Sequence, residues 1–516
     1  MGYREISLQL PTGYVDEQLR ESIRKELNVS EFSYQIEQKS LDARKKNNIH
    51  WLIRVVAMSD QISGPDKILP PALDIPFRKR SEKVLVVGSG PAGFFSAFVL
   101  QKAGFQVTLI ERGADVNKRA DGIRAFENTG HFDPMGNYAF GEGGAGTFSD
   151  GKLTSRTKNI SREKQFIIDS YIQAGAPEEI GYMSHPHLGS NNLKKIVKNL
   201  RNDFIDIGGT FFFETFLEDL SIKNHRVVSG VTNTGSMEAD YFIIAPGQNA
   251  QETYHMLIRR GVSFRTKNFA IGCRVEHPQE LINQAQWGQK KLPGVKAAEY
   301  RLTLNHPGSL PVYTFCMCPG GTIVPATPYE NRNIVNGMSQ YLRNQKFANA
   351  ACVAGVNMEK LLNRETTPIQ ALEWLAELEN KFYSYAKGYQ APFCSIQDFI
   401  NQKETSGAAE SSYPLGLKQA ALWELLPAEI SHSIREGLKA FSRKIKGFET
   451  GLILGLESKT SSPVQVIRDE NRLCTGFENL FMVGEGSGHS GGIISSATDG
   501  IKAALRILMV EEIRLC

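Results

Sequence analysis

The stretch Lys83-Val84-Leu85-Val86-Val87-Gly88-Ser89-Gly90-Pro91-Ala92-Gly93 decides how this chain is read. A short β-branched run enters a GxGxxG turn, and a helical segment over residues 94–103 follows at once. Gly88 lets the backbone turn tightly, Gly90 lets it approach a pyrophosphate, and Gly93 lets the helix pack close to the strand, with Ser89, Pro91 and Ala92 completing the turn. Unpaired amides at the helix start then face phosphate charge. The spacing alone is common, so its weight comes from the context. Residues 106–112 read as the next parallel strand and end on Glu111, where a ribose hydroxyl needs an acceptor, with Arg112 beside it.

Outward from this core, 516 residues exceed one ordinary domain, so two or three are expected. Basic and acidic side chains number 59 and 55, for a net charge of +4. That balance gives no polyanion signal and disfavours nucleic acid as a partner. The seven cysteines are scattered and odd in number, unlike a disulfide framework, and fit a reduced, cytoplasmic setting. No signal-like segment opens the chain, and no run reaches the roughly 18 apolar residues of a membrane span. No cysteine and histidine cluster has zinc spacing, so no metal is expected.

Residues 1–60 read as a small βαββ domain, with strands at 4–10, 32–38 and 48–58 and a helix at 15–27. Its few elements bury little alone, so it is expected to dock on the main body. The charged tip Asp42-Ala43-Arg44-Lys45-Lys46 reads as a solvated loop ahead of a phosphate contact. A proline-bearing linker, 61–82, leads to the nucleotide-binding domain, whose first part spans 83–262. Within it residues 140–153 form a loop with glycine at 141, 143, 144, 146 and 151, able to bring bare amides against a planar ligand. A helix is expected at 193–207, strands at 210–217 and 226–231, and an apolar strand ending in the tight turn Ala245-Pro246-Gly247.

Short strand candidates at 269–275, 297–304, 312–317, 322–326 and 334–339 mark an antiparallel sheet inserted over 263–450, with helices at 368–387, 416–424 and 428–445. The second part of the nucleotide domain, 451–516, holds a strand ending at Gly484-Glu485. It then makes a glycine turn, Gly491-Gly492-Ile493, into a last helix.

Two glycine-led helix starts make sense if one long ligand lies across both, and that ligand resembles FAD. The fingerprint with its Glu-Arg pair, the Ala-Pro-Gly turn and the Gly-Glu turn before a glycine-led helix resemble FAD folds of the glutathione-reductase type. Pro246 departs from that pattern, which usually has threonine. More closely, the chain is similar over nearly its whole length to the FAD-dependent family known as NAD(FAD)-utilising dehydrogenases. The likeness rests on residues 40–46, 140–153, 314–321, 457–463 and 483–500.

The resemblance implies an α/β, Rossmann-like FAD-binding domain of that type, interrupted by an antiparallel β plus helical substrate domain and preceded by the βαββ unit. The residues expected at the cofactor are Gly88, Ser89, Gly90, Pro91, Ala92, Gly93, Glu111, Arg112, Arg119, Gly144, Ala145, Gly146, Thr147, Phe216, Ala245, Gly247, Gly484, Glu485, Gly491, Gly492 and Ile493.

Flavin chemistry then implies a hydride or two electrons passed between the ring and a small-molecule substrate. No second fingerprint appears, so any NAD(P)H would visit the open flavin face as a transient donor. Lys152 and Lys459 are candidates for ring-edge or substrate contacts, with surface lysine as the ordinary fate of each. His489 is a candidate proton relay that could equally cap the helix. Cys316 and Cys318, one residue apart in an expected strand, would point to one face, so a disulfide between them would be strained. They read as pocket lining or packing. The alternative function is a flavin-containing RNA-modifying or nucleic-acid-binding protein using the N-terminal unit.

Overall fold

The fingerprint run forms the central strand of a five-stranded parallel sheet in the computed structural model, which describes residues 2–64, 71–405, 407 and 409–513. Residues 65–70 of the expected linker and Cys516 lie outside the described residues. Across the sheet the order is Leu480–Met482, Tyr241–Ile244, Lys83–Val87, Gln106–Ile110 and Thr210–Phe212. The central strand is buried on both faces, which is why it reads as a continuous apolar run without alternation. Helix Pro91–Lys102 follows, with proline in its first turn, where no amide is needed. It packs against the last helix, Ile493–Ile513, so closely that a Cβ on Gly500 would stand 2.0 Å from the Ala92 carbonyl oxygen.

Helices Ser161–Gln173 and Gly189–Asp206 complete that layer. The opposite face carries a three-stranded antiparallel meander, Leu217–Lys223, Arg226–Thr232 and Gly235–Glu238, together with helix Gln251–Arg259. The expected strand at 210–217 is therefore divided. Its first residues join the parallel sheet, and Leu217 starts the meander.

The inserted sheet has eight strands among the described residues. Its centre is Phe347–Val356, which pairs with Val312–Pro325 on one side and Phe269–Pro278 on the other. This central strand escaped the sequence reading because nine of its ten residues are buried and it shows no alternation. The strands expected at 312–317 and 322–326 are one strand, kinked rather than turned. Most of 297–304 is irregular, with only Thr303–Leu304 paired. The helix expected at 416–424 is instead a strand, Leu417–Gln419, followed by the short helix Leu422–Leu425. The sheet also takes Leu452–Glu457 from beyond residue 450. Helices Pro368–Ala386 and Ala428–Lys444 pack on it.

The N-terminal unit is a three-stranded antiparallel sheet, Gly2–Pro11, His50–Ser59 and Ser33–Asp42 in spatial order, with helix Asp16–Leu27 on one face. It docks as expected, and onto both larger parts. Lys39 exchanges backbone hydrogen bonds with Tyr182 and Ser184 of the nucleotide domain. Gly294 of the inserted part presses on the Thr12 carbonyl, where an added Cβ would stand 2.0 Å from the oxygen.

Candidate active site

Backbone contacts between turns build the site. A Cβ on Gly88 would lie 2.3 Å from the Ala245 carbonyl oxygen, and one on Gly93 would lie 1.9 Å from that of Gly88. The fingerprint strand, its helix and the Ala245-Pro246-Gly247 turn are thereby locked together without side chains. A Cβ on Gly144 would meet the Gly90 Cα at 3.0 Å, so the glycine loop rests directly on the fingerprint turn. Gly486 abuts the Gly247 carbonyl, and Tyr254 clamps that contact by donating to the Gly486 carbonyl at 2.8 Å.

These turns enclose one open cavity of about 360 Å3, within the roughly 300–1,000 Å3 of ordinary small-ligand sites. Gly88, Gly90, Glu111, Arg112, Phe216, Gly144, Ala145, Gly146, Ala245, Gly247, Gly484, Glu485, Gly491, Gly492 and Ile493 all line it. Pro91 and Ala92 complete the wall, so seventeen of the twenty-one residues expected at the cofactor face one space.

Four do not. Ser89 and Thr147 face a separate apolar crevice behind the loop, and Ser89 also donates its hydroxyl to Glu111 at 2.7 Å. Gly93 is buried in the helix–strand contact, the packing role its position in the turn implied. Arg119 is fully buried behind the glycine loop. Its guanidinium donates to the carbonyls of Asn137 at 2.8 Å, Tyr138 at 2.9 Å, Glu142 at 2.9 Å and Gly144 at 2.8 Å. With its donors spent on the loop it shapes the cavity and reaches no ligand.

Glu111 lines the cavity with both carboxylate oxygens engaged. One accepts from the Ser89 amide and hydroxyl, the other from the amides of Gly113 and Gly141, each at 3.0 Å. Any hydroxyl bound there shares these lone pairs. Arg112 ion-pairs with Glu252 and stands 4.2 Å from the Phe140 ring centroid.

Of the three lysine and histidine candidates only Lys152 is in the cavity. Its ammonium donates to Asp150 Oδ2 at 2.5 Å and to the Met317 carbonyl. Asp150 is also held by Arg343, at 3.0 and 2.6 Å. Burial works against the Lys152 charge, but Asp150 and then the sulfurs of Cys318 and Cys316 outweigh it and raise its pKa. Lys459 lies behind the cavity wall, paired with the buried Glu379 at 2.8 Å. His489 is turned away: its Nε2 meets the Val466 carbonyl at 3.0 Å and its Nδ1 meets the Gln465 amide at 3.3 Å. Burial lowers its pKa, so it stays neutral and anchors the loop.

The structure adds residues that the sequence reading left out. Phe315 of the inserted sheet, Asp150, Gln248 and Asn249 form part of the cavity wall, beside Cys316, for which pocket lining was one of the two expected roles. Asp150 stands inside the quoted glycine loop, so it could have been singled out beside Lys152. Of the two cysteines, only Cys316 lines the cavity. Glu485 is half-buried in the cavity wall, and burial pushes its carboxyl up to about 7.

The residues present fit an FAD molecule. Arg112 Nε, Gln248 Oε1 and Asn249 Oδ1 are buried in or beside the cavity wall without a protein partner. Two helix starts face the same space, and the close approach at Gly90 and Gly144 leaves only backbone there. At the charged tip of the N-terminal unit Arg44 folds back on Asp42. No helix of the described residues is long and apolar enough to cross a membrane, and no metal-holding group of three histidine, cysteine or acidic residues occurs among them.

Residues 81–130 match an FAD binding domain, and residues 268–460 match the FAD-dependent protein, C-terminal domain-like family. The whole chain is similar to an uncharacterized protein of Clostridium beijerinckii, with 37% identity and 95% of each chain covered. A geranylgeranyl bacteriochlorophyll reductase-like protein of Thermoplasma acidophilum is 14% identical with a TM-score of 0.39, covering 84% of this chain and 80% of its own. The structure of CtdE in complex with FAD is 11% identical with a TM-score of 0.36, covering 83% of this chain and 84% of its own. The chain binds FAD and is an FAD-dependent enzyme.

Proposed function

Since the chain belongs to one family with the Clostridium beijerinckii protein, we propose that it is an FAD-dependent oxidoreductase passing a hydride or two electrons between flavin and a small-molecule substrate, with NAD(P)H as a transient donor at the open face. The observation that supports this most is the meeting of four glycine-rich turns and one strand of the inserted sheet around a single cavity. FAD, when bound, supplies a two-electron acceptor. In the glutathione-reductase-type arrangement proposed here, the amides at the start of helix Pro91–Lys102 hold the pyrophosphate. Glu111 and Arg112 flank the ribose end.

The start of helix Ile493–Ile513 carries partial positive charge, which stabilises negative charge developing at the adjacent ring edge. Glu485 holds its proton near neutrality beside that edge, so it can give one up or take one back at the ring end. Lys152, fixed by Asp150, presents a charge to an anionic substrate group beside Phe315 and Cys316. Sheet membership supports a domain division at about residues 60, 82 and 262, with the insert extended to about 460 because strand Leu452–Glu457 joins the inserted sheet. No observation favours the nucleic-acid reading, since Arg44 is committed to Asp42.

Anaerobic reduction of the purified yellow protein with NADH and with NADPH tests this. One of the two bleaches the flavin if the reading is right. A flavin that neither nicotinamide nor dithionite can bleach would leave FAD a structural ligand.

A further inference from the structure

Where strand Val312–Pro325 passes the cavity it breaks its own ladder. Its pairing with Phe347–Val356 loses register between Phe315 and Cys318, and Cys316 sits at φ +43°, a conformation that a cysteine in a regular strand avoids. The kink undoes the alternation assumed for a strand. Cys316 turns to the cavity and is partly exposed, whereas Cys318 is wholly buried beneath it. Cys318 Sγ donates to the Cys316 carbonyl oxygen at 3.4 Å, and the Cys318 thiol is the strongest influence on the Cys316 thiol.

Positive charge surrounds the pair. The fully buried Arg274 donates to the Cys316 carbonyl at 2.6 Å and approaches Cys318 Sγ at 3.5 Å, and Lys152 stands over the next carbonyl, that of Met317. The Cys318 hydrogen bond, then the charges of Lys152 and Arg274, lower the Cys316 pKa against the effect of burial, and Cys318 correspondingly stays protonated. The other cysteines among the described residues are buried and lie outside the cavity wall. The same cavity is lined by Glu485, whose carboxyl feels the Cys316 sulfur, and by Gly491 and Gly492, the ring end of the proposed FAD site.

We propose that Cys316 and Cys318 form a redox pair that exchanges two electrons with the flavin. The step balances as Cys316 thiolate plus Cys318 thiol plus FAD giving the Cys316–Cys318 disulfide plus FADH⁻. A sulfur–sulfur bond forms, the S–H bond of Cys318 breaks, the two sulfurs are oxidised and the flavin is reduced. The proton of Cys318 ends on the reduced flavin, and Glu485 is placed to carry it. Run in reverse, reduced flavin reopens the disulfide. The small ring closed by one intervening residue makes that bond easy to reduce, as a flavin partner requires. The positive φ of Cys316 becomes the device that brings the two sulfurs within reach.

This inference rests on the cavity being the FAD site, and the experiment separates the two. Yellow holoprotein, oxidised in air and freed of oxygen, is titrated with dithionite while flavin absorbance is followed. Four electrons per bound FAD are expected, two for the disulfide and two for the flavin. Cys316→Ser and Cys318→Ser should each take two. Oxidised protein blocked with iodoacetamide and digested with trypsin should release the peptide of residues 302–332, the fragment holding both cysteines, two hydrogens lighter and unalkylated. Cys318→Ser should also leave the Cys316 thiolate against oxidised flavin and so show a long-wavelength charge-transfer band, absent from Cys316→Ser. A yellow protein that takes up two electrons per FAD with the peptide fully alkylated overturns the redox pair alone. A colourless protein that FAD cannot reconstitute overturns the site and the pair together.

Discussion

The two helix starts at the cavity look alike in sequence and are built differently. At Pro91–Lys102 the turn is closed on itself: Gly88 and Gly93 have backbone where a Cβ would go, and only Gly90 leaves room. At Ile493–Ile513 the turn is open, with nothing within 4 Å of an added Cβ on Gly492 and only Glu485 Oε1, at 3.8 Å, near one on Gly491. The first start is therefore fixed by the protein's own packing and the second is shaped toward whatever fills the space. Glycine in the first serves mainly the fold, and glycine in the second serves mainly the ligand.

The hardest test of that contrast is Gly93→Ala, whose Cβ meets the Gly88 carbonyl oxygen at 1.9 Å with no flexible neighbour to yield. It should destabilise the protein by about 3 kcal/mol or more in urea unfolding, and an unchanged midpoint would dissolve the distinction. Gly90→Val comes next. Its nearest neighbour is the Gly144 Cα at 3.8 Å, so circular dichroism should stay native while FAD affinity falls on the order of 100-fold, about 2.7 kcal/mol. Retention of the yellow colour would refute its role.

Glu485→Gln probes the open start through pH. Burial raises the folded carboxyl from its ordinary 4.5 to about 7, so between those values the folded protein holds the extra proton. Stability of the flavin-stripped protein should then fall as pH rises through that window, by on the order of 2–3 kcal/mol, and Gln should flatten the slope. Smallest is Gly491→Ala, expected to leave the melting temperature within about 2 °C and to weaken FAD by roughly tenfold. An equal loss of stability at Gly491 and Gly93 would make the two starts equivalent.

The same division explains what could be read in advance. Four of the five strands of the parallel sheet, all but the edge strand Thr210–Phe212, are short apolar runs that end at a turn, and those turns carry glycine because backbones touch there. Both signals are local. The inserted sheet obeys longer-range logic. Phe347–Val356 is rich in alanine because neighbouring strands and a helix press on both its faces, and a run of small residues resembles nothing in particular until those partners are known. Gly320-Gly321 reads as a turn but is a kink, since the chain bends there against the Arg343 backbone and continues in the same strand.

Side-chain direction was the least legible feature. Arg119, Lys459 and His489 are the right residue types close to the right motifs, and each is consumed by the protein: five loop carbonyls, a buried glutamate and a strand carbonyl respectively. Cys316 went the other way. Pocket lining was one expected role for it, but strand alternation put Cys318 on the same face, and nothing in the sequence announces the kink that separates them.

The small N-terminal sheet touches the nucleotide domain at Tyr182 and Ser184 and the inserted part at Gly294. Glu179, one turn from the first of these contacts, is itself gripped by Lys296 and Tyr341 from the insert. The first sixty residues thus act as an outside strap across the seam between the two large lobes. Prising the lobes apart at that edge would have to break its backbone hydrogen bonds to Tyr182 and Ser184 or its contact with Gly294.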